Sequence, residues 1–131
     1  QRNDAFTYVW DIMPTILDIA EVEYPAELQG RELAAPRGRS MLGLLNGTKE
    51  RIYDEQEFVG GEMGGGKWMR QGDFKAMTVP RPYGDGTWKL FNVEKDPGEA
   101  QDLAQAMPDK LETLIAAWND YADDVGVILA N

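Results

Sequence analysis

Seven apolar residues at helical spacing run toward the end of this chain: Leu111, Leu114, Ile115, Trp118, Tyr121, Ala122 and Val125. Steps of three and four residues place them on one face of a single helix. Pro108 suits the first helical position, and Gly126 suits the stop beyond the last. Such a face requires a flat apolar surface to bury against, and the preceding residues supply one. Residues 67–70 and 74–79 read as a hairpin around Gln71-Gly72-Asp73, where Gly72 provides the positive φ of a tight turn. Trp68 and Arg70 share one face of that hairpin, Lys67 and Met69 the other. Residues 88–93 read as the next strand, with Trp88 and Leu90 opposite Lys89 and Phe91. Asp96-Pro97-Gly98 is a turn, and residues 80–86 form a turn-rich loop. The class is α+β: a small antiparallel sheet of about four strands on a long C-terminal helix.

At 131 residues with 43% hydrophobic and 10% aromatic content, the chain can bury a core. Its net charge of −10 repels phosphate backbones, so nucleic acid is not an expected partner. Beyond residue 93, nine acids outnumber two bases, which makes that tail a solvated acidic face. There is no Cys, which excludes disulfides, thiolate metal sites and a Cys nucleophile. There is no His, which removes the commonest general base and metal ligand. A self-contained active site is therefore not expected. No apolar run is long enough for a membrane span, and Gln1-Arg2-Asn3-Asp4 opens without the apolar core of a signal peptide. The absence of an initiating Met points to a start inside a longer protein. The compartment stays open between the cytoplasm and periplasm of a bacterium.

The first part of the chain has a different character. Val9, Ile12, Ile16, Ile19 and Ala20 make an apolar stripe on a helix expected over residues 9–22. Asp11 is its expected N-cap, and Pro14 is tolerable in its first turn. Trp10, Met13 and Leu17 lie off the stripe, so this helix is apolar nearly all round and expects cover on several sides. An exposed apolar helix would also suit a second copy of the chain. Residues 25–39 read as loop. Ser40 is placed to cap a short helix over residues 41–45 that stops at Asn46-Gly47. Residues 51–58 are a strand candidate, and the glycine-rich residues 59–66 read as irregular. The division expected is residues 1–48 and residues 49–131.

Three constellations imitate chemistry. Residues 61–68 match a phosphate-binding loop except at Trp68, where Ser or Thr should hold magnesium. An acidic segment precedes them and a strand follows, whereas a phosphate loop joins a buried strand to a helix. Glu55, Glu57 and Glu62 could hold a hard cation, but acids on an edge strand more often block edge pairing. Trp68, Phe74, Trp88, Phe91 and Trp118 could form a sugar platform, but at strand and helix spacing they serve as core.

Four segments carry a family resemblance: residues 11–20 (DIMPTILDIA), 38–45 (GRSMLGLL), 67–75 (KWMRQGDFK), and 90–99 (LFNVEKDPGE) with Asp102-Leu103-Ala104. Their order and spacing resemble the C-terminal part of a bacterial-type arylsulfatase, within the alkaline-phosphatase-like superfamily. Gly126-Val127-Ile128-Leu129 resembles the chain end of the same branch. On this resemblance Gly72, Asp73, Lys75, Asp96, Pro97, Glu99 and Leu103 are structural motif positions of the C-terminal sulfatase subdomain. Residues 1–48 then end the large α/β sulfatase domain, and residues 49–131 form the subdomain.

The resemblance implies a parent that hydrolyses sulfate esters with formylglycine and calcium. No position here matches the family's catalytic or metal residues, so none is assigned and no cofactor is expected in this chain. The partner implied is the missing N-terminal sulfatase domain, and the parent's substrate is a sulfate ester. The chain alone is expected to be inactive, shielding and rimming the active-site cleft. Glu62 and Met63 in the glycine-rich loop, and Tyr83 in the loop over residues 80–86, are the substrate-rim candidates. The second reading is a stand-alone α+β module that binds a protein or a small ligand.

Overall fold

A computed structural model describes residues 3–128, and Leu129 lies outside them. The chain divides between Asp54 and Glu55 into two compact units. In the second, β3 (Phe58–Met63), β4 (Gly66–Gln71), β5 (Phe74–Thr78) and β6 (Lys89–Asn92) form an antiparallel sheet in sequential order. Helix α3 (Pro108–Val125) follows, with Pro108 in its first turn and Gly126 left-handed at φ 69° behind its last residue. The Val127 N–H bonds back to the Ala122 carbonyl at 2.9 Å, which closes the helix end.

The core lies between α3 and one face of the sheet. Met69 of β4, Ala76 of β5 and Leu90 of β6 are buried against Leu114 and Trp118 of α3. Met69 pairs with Ala76, and Ala76 with Leu90, so the three stand in one row across the sheet. Lys67 lies on the same face and places its ammonium over the Trp118 ring, 4.7 Å from the centroid. The hairpin of β4 and β5 turns through Gly72 at φ 55°, as the sequence implies.

The glycine-rich segment departs from expectation. Residues 59–63 are strand, not irregular, and residues 51–57 are not strand at all. The reason is close approach. A Cβ on Gly60 would lie 2.4 Å from the Met69 side chain and 2.9 Å from the Trp68 carbonyl. The Gly61 carbonyl accepts the Trp118 indole N–H at 3.2 Å. A Cβ on Gly61 would lie 2.8 Å from the Trp68 indole, so the glycines let side chains of β4 lie against the β3 backbone on both faces, and the turn falls at Gly64-Gly65, both at positive φ. The acids at 54, 55 and 57 stay outside the ladder.

The first unit holds a short 3-10 turn (Val9–Asp11), α1 (Ile12–Ile19), β1 (Glu27–Leu28), β2 (Arg31–Glu32) and α2 (Leu42–Leu45). Helix α1 is shorter than residues 9–22 suggest. Residues 25–39 are not purely loop, because Gln29-Gly30, both at positive φ, turn a two-residue hairpin. Asp11 makes no capping bond into α1. Its carboxylate is fully buried and accepts three hydrogen bonds: from the Tyr8 N–H at 2.7 Å, the Arg39 N–H at 2.8 Å and the Tyr53 hydroxyl. Residues 38–42 are stitched to the helix by further polar contacts. The Met41 N–H donates to the buried Thr15 hydroxyl at 2.8 Å, and Ser40 donates to Asp18. Ser40 also accepts the Leu42 N–H at 3.2 Å, although the N-cap residue of α2 is Met41 and not Ser40 as the sequence suggests. A Cβ on Gly38 would sit 2.0 Å from the Trp10 carbonyl. Two of the resembling motifs are therefore one hydrogen-bonded unit.

Asp11→Ala removes the acceptor of three donors and is expected to destabilise the chain by about 3 kcal/mol, read from urea unfolding. Burial, and then the hydrogen bond donated to Asp11, push the Tyr53 phenol above its ordinary value. The unfolded chain therefore loses this proton first as pH rises. Tyr53 should leave stability unaffected below about pH 10 and lower it as pH climbs beyond the ordinary phenol range. Tyr53→Phe should flatten that alkaline decline in the same unfolding titration.

Candidate functional site

The face of the sheet away from α3 carries the second row of alternating side chains: Trp68 and Arg70, Lys75 and Met77, Lys89 and Phe91. Phe91 is buried there and Met77 partly so. Lys75 pairs with Glu99 at 2.7 Å, which ties β5 to the turn after β6. The Arg70 guanidinium donates to the Gly72 carbonyl at 2.8 Å, and burial lowers its pKa from the ordinary value.

A cavity of about 300 Å³ opens on this face. Met77, Phe91 and Val79 give it apolar surface, while Tyr83, Lys89, Asp85 and Glu99 add polar groups. The loop over residues 80–86 forms one wall and is closed on itself. The Tyr83 and Gly84 N–H groups bond to the Pro80 carbonyl, and the Gly86 N–H bonds to the Val79 carbonyl at 3.0 Å. The Tyr83 side chain stands outward, 89% exposed. Asp85 accepts the Thr87 hydroxyl at 2.7 Å and the Thr87 N–H at 2.9 Å, which holds its carboxyl below the usual carboxylate range. Lys89 stands 3.8 Å from Asp85, too far for a tight pair.

Of the three rim candidates, Tyr83 lines the cavity. Glu62 turns its carboxylate back on its own hairpin and accepts the Gly65 N–H at 2.6 Å. Met63 sits at the tip of that hairpin, 86% exposed. Gly65 packs near Pro80, so the two loops adjoin, although only the second borders the cavity. Met77 and Lys89 are additions that motif reading does not suggest, while Phe91 is one of the aromatics of the sequence and Asp85 lies in the loop over residues 80–86; the alternation that puts Met69 and Leu90 on one face places Met77 and Phe91 together on the other.

The motif positions interlock. Lys75 meets Glu99, whose backbone is at φ 52°. Asp96 accepts the Gln101 N–H at 2.8 Å, holding the Pro97-Gly98 turn. Asp73 offers its carbonyl to the Val93 N–H at 2.8 Å. The Leu103 N–H bonds to the Leu90 carbonyl at 2.7 Å, while the Asp102 carboxylate takes the Leu90 N–H at 3.1 Å. Together they occupy backbone groups on the open edge of β6.

The glycines and Lys67 at residues 61–67 form a hairpin, not the strand-to-helix turn of a phosphate loop, and Lys67 stacks on Trp118. Among the described residues no group of three His, Cys, Asp or Glu side chains could hold a metal ion. The chain has no Cys, and its one Ser, Ser40, lacks the Pro and Arg that a formylglycine motif places after it. Neither calcium nor formylglycine fits the residues present. No helix among the described residues is long and apolar enough to cross a membrane.

No protein-family model matches the chain. An uncharacterized sulfatase of Schizosaccharomyces pombe is 36% identical over 129 residues, covering 98% of this chain and 23% of that protein. This chain is sulfatase-like. A solved 2-O GAG sulfatase is 25% identical with a TM-score of 0.59, over 87% of this chain and 24% of its own. A second structure, in complex with its substrate D-glucosamine-2-N,6-O-disulfate, shares the fold at 18% identity and a TM-score of 0.57, over 86% of this chain and 23% of its own. The sulfatase-like chain thus spans about a quarter of the length of the relatives it matches. Its four-stranded sheet and closing helix correspond to a sulfatase C-terminal subdomain.

Glu99→Ala strands the Lys75 ammonium at a partly buried position. The expected cost is about 1 kcal/mol, read as a lower urea midpoint that shrinks little in 0.5 M salt (roughly a 4 Å screening length) because the pair is three-quarters buried.

Proposed function

We propose that this chain is the C-terminal subdomain of an arylsulfatase, a sulfuric ester hydrolase whose catalytic groups belong to the rest of a longer polypeptide. The observation that carries this reading is the 36% identity across 98% of the chain to a sulfatase more than four times its length. The donor set supports it: a chain without His or Cys lacks the usual bases, nucleophiles and metal ligands. In such a parent, formylglycine would supply the nucleophile and calcium the counter-charge for the sulfate, and residues outside these 131 would hold both. The role of this subdomain is to shield the cleft and to border it with the loop over residues 80–86. Tyr83, outward and beside the cavity, is positioned to contact the organic part of the ester. Met63, at the exposed tip of the adjoining hairpin, extends that rim, while Glu62 stays bonded to its own hairpin. A sulfated sugar, the ligand of one structural relative, suits the cavity's mixture of aromatic and polar groups.

The purified chain, supplied with calcium, is expected to show no turnover of 4-nitrophenyl sulfate above background, while the full-length parent hydrolyses it. Turnover by the chain alone would overturn the reading. In the parent, Tyr83→Ala should raise KM roughly tenfold with kcat unchanged, the signature of lost uniform binding. A fall in kcat at constant KM would place Tyr83 elsewhere in the mechanism.

A further inference from the structure

One carboxylate oxygen and one ammonium group in the cavity on the outer face of the sheet face each other without a close bond. Asp85 Oδ1 accepts both Thr87 donors, the hydroxyl at 2.7 Å and the N–H at 2.9 Å. That leaves Oδ2, which faces the Lys89 ammonium at 3.8 Å, beyond hydrogen-bond range. Both side chains line the cavity, and each is about half exposed. The Thr87 bonds hold the Asp85 carboxyl below the usual carboxylate range, so it is ionised at neutral pH. The neighbouring charges on this face are committed elsewhere. Lys75 bonds to Glu99 at 2.7 Å, and Arg70 donates to the Gly72 carbonyl.

A gap of that width between opposite charges is bridged by a group that donates to one and accepts from the other. An oxygen about 2.8 Å from each fits over it as the apex of a triangle. A hydroxyl meets both demands, whereas an ionised acid can only accept and has nothing to give Oδ2. An anion would reach Lys89 only by standing against Asp85, on a chain whose net charge is −10. A cation would meet Lys89 in the same way. We propose that this cavity takes an uncharged, hydroxyl-bearing organic part of the ester, with a hydroxyl bridging Asp85 Oδ2 and the Lys89 ammonium. The substrates are then esters whose one anion is the reacting sulfate, and a second sulfate or a carboxylate at this position is rejected. This rests on the reading of the chain as part of a sulfatase and narrows the substrate class of the same site. Met77, Val79 and Phe91 supply the apolar wall for the C–H surface of such a group. The volume of about 300 Å³ lies at the small end of ligand pockets, roughly 300–1,000 Å³, which suits one neutral sugar unit and not a polymer segment.

Methyl β-glucoside and methyl β-glucuronide differ by one carboxylate, which makes them a matched pair of probes. Each is titrated into the isotope-labelled chain at low salt and followed by amide NMR. The glucoside should shift the amides of residues 77–91 and bind about fivefold tighter than the glucuronide, the scale of one exposed charge. Asp85→Asn keeps an acceptor for Thr87 but removes the charge, and should reverse that order by releasing Lys89 to the carboxylate. Lys89→Gln should weaken the glucoside about threefold without favouring the glucuronide. Both positions are about half exposed, so the amide spectra of the variants should keep the unsubstituted pattern elsewhere. Glucuronide binding as tight as the glucoside, or no shift at residues 77–91 with either, overturns the proposal, and the unsubstituted chain decides this without the variants. In the full-length parent, a monosulfated methyl hexoside should be turned over with kcat/KM at least about fivefold above that of its disulfated counterpart. Equal values there also overturn it. A parent without sulfate-ester turnover that keeps the binding order would uphold the preference of the cavity and remove the sulfatase reading.

Discussion

The packing of Leu114 and Trp118 against Met69, Ala76 and Leu90 is the interaction on which the second unit depends. Each of these side chains removes about 1–3 kcal/mol worth of apolar surface from water, and they come from three adjacent strands and one helix. Their alignment fixes the sheet register, because a one-residue slip would turn the whole row to the opposite face. It also explains the glycines of β3. The Met69 side chain takes the space beside Gly60, and on the opposite face the Trp68 indole takes the space beside Gly61, so neither position has room for a side chain. The same register sends Met77, Lys89 and Phe91 to the other face, where the cavity forms.

The first unit is organised by the opposite principle. Its most buried group is a carboxylate, and the neighbourhood of Asp11 is held by hydrogen bonds from Tyr8, Arg39 and Tyr53. A buried charge is tolerable only when its lone pairs are satisfied, and these are. The consequence is a helix whose polar side is committed locally and whose apolar side is exposed. The two units thus differ: the sheet and α3 enclose their own core, while α1 leaves its apolar face uncovered by the described residues.

The cavity on the outer face of the sheet follows from the same register. It has an aromatic rim and several charged groups, and among the described residues no group of three His, Cys, Asp or Glu side chains could hold a metal ion. The chain that carries it spans about a quarter of the length of the sulfatase it resembles.

Much of this was legible in the sequence because period and turn chemistry are local. The stripe from Leu111 to Val125, Pro108, Gly126 and the Gly72 turn determined α3 and the central hairpin, and alternation determined which strand residues face it. The absence of His and Cys determined that the usual catalytic donors are missing. Other features were beyond local pattern. Residues 59–63 look irregular by propensity, and only the approach of Met69 and Trp68 makes glycine the fitting strand residue there. Asp11 looks like a helix cap, and only the return of residues 39 and 53 to its side chain makes it a buried acceptor. The cavity was invisible for the same reason, since Tyr83, Phe91 and Glu99 converge through folding and not through spacing. The sequence by itself determined the elements and their apolar faces, because those depend on neighbours a few residues away. The tertiary structure alone decided which face of α1 is turned outward, because that depends on competition between distant hydrogen bonds and apolar burial.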